Sequence, residues 1–144
     1  MSWRHSLIRI ATFEVEQLQK RLKEVEERRA AMELALDALD LEAEEEKLRA
    51  RSDPAVAWCH PDYVKRWKQR RAQAEAQLNS IVIEAEGARD ALSLAFEEQK
   101  KVEHAESLAK ASAAKETLKR EGAVLDDIAL QSSFRKSGLV PGGA

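Results

Sequence analysis

Chemistry needs reactive side chains brought together, and this chain offers few. The densest set is Cys59, His60 and Asp62, inside the stretch ARSDPAVAWCHPDYVKRW, residues 50–67. These are metal-ligand types, but one cysteine beside one histidine is at most half of a zinc site. They read as a loop cysteine next to a solvated histidine, and no metal or other cofactor is expected. His5 and His104 stand alone. The EAEEEK run at 42–47 carries paired carboxylates. Acid–base work would require a pocket that drives their pKa values apart, and a charged helix face provides none. Phosphate-binding glycine patterns are absent. No Ser/His/Asp or Cys/His set for nucleophilic catalysis can be assembled. The chain is therefore expected not to be an enzyme.

Other residues are of types that recognise rather than react. Lys65, Arg66, Lys68, Arg70 and Arg71 form a basic run beside Tyr63 and Trp67, the composition of a nucleic-acid patch. An acidic run stands at mirrored positions before the break: Asp37, Asp40, Glu42, Glu44, Glu45 and Glu46. Mutual neutralisation of the two runs is the simpler reading, and no nucleic-acid partner is expected. The formal net charge of −2 adds no overall attraction to a polyanion. Trp58, Tyr63 and Trp67 are three of only seven aromatic residues. In a thin hairpin, one neighbouring helix cannot bury them all. They either cap the apex as a small local core or form a contact surface, since aromatic and arginine side chains anchor interfaces. Tyr63, Trp67 and Ala74 are spaced to share one helix face, with Arg70 and Arg71 alongside.

The elements that carry these residues are helices. Of 144 residues, 35% are charged and 5% aromatic, a composition of long helices or coiled coils. Apolar residues run from Ile8 through Ala11, Val15, Leu18, Leu22 and Val25 to Met32, Leu36, Leu39 and Ala43. The steps alternate three and four, with Arg29 filling one place, which makes a heptad seam. No proline or glycine occurs before Asp53, so the first helix is expected over about 6–51. Leu78, Ile81, Ala85, Ala88, Leu92 and Ala95 continue the alternation, with Gln99 as a polar interruption before Val102. A later seam of Ala111, Ala114, Leu118, Leu125 and Ile128 has Glu121 in one place and is out of phase with the first. The shift at 103–110 predicts a stutter or local unwinding. Pro61 suits a first turn, which places the second helix at about 62–134.

The expected fold is all-α: an elongated antiparallel two-helix coiled-coil hairpin in one domain, with the longer helix second. Fold-back at about residue 55 sets the acidic and basic runs opposite each other, and such charges select register and orientation. The turn is placed at 52–61, because Pro54 and Pro61 would each break a continuous rod. The last residues, 135–144, read as a flexible tail. At about 1.5 Å per residue the second helix should overhang the first, leaving the 111–128 seam to fray or be covered by another protein. Gly122 reads as a weak point or hinge within it. A single cysteine suits a reducing cytosol. No run of about 18 apolar residues suggests a membrane span, and the N-terminus does not read as a secretory signal.

Three stretches carry a resemblance. The segment EEQKKVEHAESLAKASAAKETLKREGAVLDDIALQSSFRK (97–136), with its LDDIA and basic tail, resembles the end of the flagellar export protein FliJ family. LIRIATFEVEQLQKRLKEVE (7–26) is similar to the family's opening helix, and PDYVKRWKQRRAQAEAQL (61–78) to the aromatic start of its second. The likeness covers nearly the whole chain in length and layout. It implies a two-helix coiled coil like the central stalk of rotary ATPases, inserted in the flagellar type III export ATPase ring. The implied role is to promote ring assembly and ATP hydrolysis, contact the cytoplasmic domain of the export gate and handle export chaperones. The implied location is the cytoplasm, at the membrane only peripherally through the inner-membrane export apparatus. By resemblance, Tyr63, Trp67 and Ala74 match the region used for gate and ring. Leu118, Leu125 and Ile128 fall in the chaperone-contact half. A virulence-type secretion stalk and a self-associating coiled-coil scaffold remain as alternative functions.

Overall fold

A computed structural model describes residues 3–138. It contains two α-helices, α1 (Trp3–Ser52) and α2 (Pro54–Ser137), and no strand among the described residues. The fold is an all-α hairpin with a coiled-coil-like arrangement. Partners across the helices run in opposite directions: Thr12 meets Gln99, Glu26 meets Arg89, Arg28 meets Glu84, and Asp40 meets Arg71. Cα proximity divides the chain into two units, one of Arg9–Gln99 and one of Met1–Ile8 with Lys100–Ala144.

In the Arg9–Gln99 unit the heptad seams face each other. Ala11, Val15, Val25 and Leu36 of α1 are buried, as are Ala85, Ala88 and Ala95 of α2. Leu18, Leu22, Arg29, Met32, Leu39 and Ala43 are half-buried, so every expected seam place in this unit of α1 is at least partly covered. Alanine dominates the α2 side, which lets the helix axes approach closely while α1 supplies the branched side chains. A pair of helices this thin cannot enclose much more, and burying these few groups is the main apolar contribution to its stability.

The connection is shorter than the 52–61 expected. Between the two helices only Asp53 is non-helical, and it ends one and starts the other. Its N–H donates to the Arg49 carbonyl at 2.9 Å and its own carbonyl accepts from Ala57 N–H at 2.9 Å. Its carboxylate accepts the Ala55 N–H at 3.0 Å, the bond of an N-cap. Pro54 then takes the first helical position, where a missing N–H costs nothing. Pro61 lies inside α2. The expectation that it would begin the helix overlooked that Asp53–Pro54 is a complete start signal by itself.

In the other unit, Val102, Glu106 and Ala109 extend the phase of the first α2 seam and are half-buried, and His5 approaches Glu106 at 3.9 Å. α2 stays α-helical through 103–110, without the unwinding expected there. The out-of-phase seam that follows is open to solvent: Ala111, Ala114, Leu118, Leu125 and Ile128 are all exposed. Helix α2 continues past the expected end to Ser137, where Gly138 turns out at φ 74° and donates its N–H to the Arg135 carbonyl at 3.4 Å. A left-handed residue at that place is a common helix stop, and glycine adopts it without strain. Of the stretch expected as a flexible tail, 135–137 are helical, and 139–144 lie outside the described residues.

Candidate interaction surface beside the start of α2

Residues 58–74 of α2 ride on the last turns of α1, and the heptad phase decides which rings turn inward. Trp67 is half-buried, and its indole Nε1 donates to the Leu39 carbonyl at 2.7 Å. Tyr63, one turn earlier, is also half-buried; its ring stacks on His60 with centroids 6.1 Å apart. The Tyr63 hydroxyl and His60 Nδ1 are buried without a hydrogen-bond partner. Burial first, and the Glu42 carboxylate second, push the Tyr63 phenol above its ordinary value. Trp58 faces the other way and is 86% exposed. The aromatic set therefore divides: Tyr63 and Trp67 cover the helix pair, while Trp58 stands in solvent as a candidate anchor.

The two arginines also differ. Arg71 is clamped: Nε donates to Asp40 Oδ1 at 2.7 Å, Nη2 to Oδ2 at 3.3 Å, and Nη1 to Glu75. Its guanidinium lies 6.0 Å from the Trp67 ring centroid, a cation–π distance. The hydrogen bond from Arg71 holds the Asp40 carboxyl below its ordinary pKa. Arg70 is exposed and spans both oxygens of Glu42 at 3.3 and 3.4 Å. The basic and acidic runs thus do meet across the hairpin, through Arg70 and Arg71, while Lys65, Arg66 and Lys68 reach solvent.

Ala74 is half-buried and lines a groove of about 400 Å3 whose α1 wall includes Ala35, Ala38 and Glu42 and whose α2 wall includes Arg70, Gln73 and Gln77. Sequence reasoning named Arg70 and Ala74, and Leu39 and Glu42 in other roles, but did not bring them together as one groove or single out Ala35, Ala38, Gln73 and Gln77. Its signal was Ala35 and Ala38, two small residues flanking the α1 seam where larger ones would have closed the gap. Cys59 and His60 line a separate recess with Glu46, Tyr63 and Arg66. No group of three or more potential metal ligands occurs among the described residues. Leu118, Leu125 and Ile128 belong to the other unit, so they are not assigned to this surface.

Comparison with known proteins gives one family. Flagellar FliJ protein from Caulobacter vibrioides strain NA1000 / CB15N is 46% identical over 129 residues, which is 90% of this chain and 93% of the relative. The protein of that name from Caulobacter vibrioides strain ATCC 19089 / CIP 103742 / CB 15 matches with the same identity and coverage. No family model matches, and no solved structure does.

Proposed function

Because the chain belongs to the flagellar FliJ protein family, we propose that it serves flagellar type III protein export as a stalk-like partner of the export ATPase ring. In this reading it has no catalysis of its own. It promotes assembly and ATP hydrolysis of the ring, and contacts the cytoplasmic domain of the export gate and the export chaperones. The observation that carries the reading is the 46% identity over 90% of the chain to proteins named for the flagellum. That identity favours the flagellar system over a virulence-type one. The two-helix hairpin suits a stalk, and Trp58 with Arg70 supplies exposed side chains of the kind that anchor interfaces. No helix among the described residues is long and apolar enough to cross a membrane, so association with the inner membrane would run through the apparatus.

The test is ATP hydrolysis by the same organism's flagellar export ATPase, with and without the purified chain, while ring assembly is followed. Stimulation together with ring formation is expected. An ATPase that is competent alone and unmoved by the folded chain would overturn the stalk reading.

A further inference from the structure

Helix α1 carries a second seam. Ala31, Leu34, Ala38, Leu41, Glu45 and Leu48 step by three and four, two residues out of phase with the buried seam, and are all exposed. Two residues are about 200° round an α-helix, so this seam faces away from α2. Leu34, Leu41 and Leu48 are 68%, 64% and 61% exposed, each seven residues from the next. Single exposed leucines need no explanation; a heptad stripe of them beside a groove of about 400 Å3 does. The flanks are acidic, and Asp37, Glu44 and Glu45 form no ion pair among the described residues. The surface thus asks for a helix with its own heptad seam and basic flanks.

We propose that its occupant is the 111–128 stretch of α2 from a second copy of this chain, docked antiparallel. That stretch is the other exposed seam; Lys110 and Lys115 flank it and form no ion pair among the described residues, while Glu116, Asp126 and Asp127 lie off its flanks. One register satisfies both seams. It sets Leu34 on Leu125, Leu41 on Leu118 and Leu48 on Ala111, with Ala31 receiving Ile128. Each acidic seam residue then meets an alanine: Glu45 faces Ala114, and Glu121 faces Ala38. Lys115 lies beside Glu45 and Glu42, and Glu121 sits at the groove whose α2 wall offers Arg70, Gln73 and Gln77. A parallel docking in the same seams would press Glu121 onto Leu41 and Glu45 onto Leu125, burying both carboxylates against leucine, which is costly. Antiparallel docking therefore wins. It covers Arg70, so self-association withholds the surface assigned above to partners.

Sedimentation equilibrium of the full chain and full-length variants, without any ATPase, tests the pairing separately from the proposed function. The wild-type chain is expected to associate with rising concentration, less so in high salt. Leu41→Glu cannot receive the seam and Leu118→Glu cannot supply it, so each alone should associate roughly tenfold more weakly or less. An equimolar mixture of the two should recover association, because one supplies what the other receives. Arg70→Glu and Glu121→Arg should each weaken it, and the double variant should regain it. All four positions are exposed, so circular dichroism should show helicity unchanged. A wild-type chain that stays monomeric throughout, a Leu41→Glu chain that associates like wild type, or a mixture no stronger than its components would each overturn the proposal. Loss in Leu118→Glu with persistence in Leu41→Glu would show instead that the 111–128 stretches pair with each other.

Discussion

Trp58 and Trp67 lie nine residues apart on α2 and have opposite environments. Trp67 combines packing with a hydrogen bond to Leu39, whose carbonyl also belongs to the α1 ladder. Trp67→Phe keeps most of the ring area and removes the N–H. Urea unfolding should show a loss of about 0.5–1.5 kcal/mol, the net value of one such bond. Trp58 touches little, and Trp58→Ala should change stability by no more than about 0.5 kcal/mol. If Trp58 anchors a partner, the same variant should nonetheless reduce stimulation of the export ATPase. A Trp58→Ala chain with full stimulation would remove it from the contact set. From the sequence, the three rings were legible only as a group. Their division follows from where each falls in the α2 heptad relative to α1, which a list of residue types does not contain.

For the elements, the hairpin depends on a single non-helical residue. Asp53 satisfies backbone groups on both sides of the break and caps α2 with its carboxylate. Asp53→Ala should cost about 1 kcal/mol in thermal or urea unfolding, within the usual range for a lost N-cap, and Asp53→Ser should recover most of it. Full stability in Asp53→Ala would mean that helix packing alone fixes the reversal. The presence of a break and its place near residue 55 were readable from the prolines. Its length was not, because Pro61 reads as a helix start, whereas it lies inside α2. What settled it is that α2 runs unbroken from Pro54, with the Asp53 carboxylate accepting the Ala55 N–H as its cap.

At the scale of the whole molecule, charge is the variable that solution conditions reach most easily. Asp40 and Glu84 are both held below their ordinary carboxylate values, by hydrogen bonds from Arg71 and Arg28 respectively. A carboxylate whose folded pKa is depressed stabilises the fold above its unfolded value, and that contribution disappears as pH falls through the folded value. Denaturant midpoints should therefore hold steady from neutral pH down to about 5 and decline below about 4. Asp40→Asn should be less stable than wild type at pH 7 and should show a shallower decline in acid. Both pairs are open to water, so salt should shrink the difference. An acid limb unchanged in Asp40→Asn would place the linkage elsewhere.

The sequence by itself determined that the chain would be helical, where it would reverse, and which residues of α1 could form a seam with α2. Those follow from local quantities: propensity, a proline pair and the 3–4 spacing. It also resembled its family closely enough for the relationship to be read from three quoted stretches. The long 3–4 repeat through Val25 and Leu36 also marked the face that α2 covers. The shorter repeat through Leu34 and Leu41, which carries Glu45, went unread. Only tertiary structure showed that this second seam stays open, because one helix can bury one face against one neighbour: Ala85, Ala88 and Ala95 of α2 took the first. The leucines of the second stayed in water for the same reason.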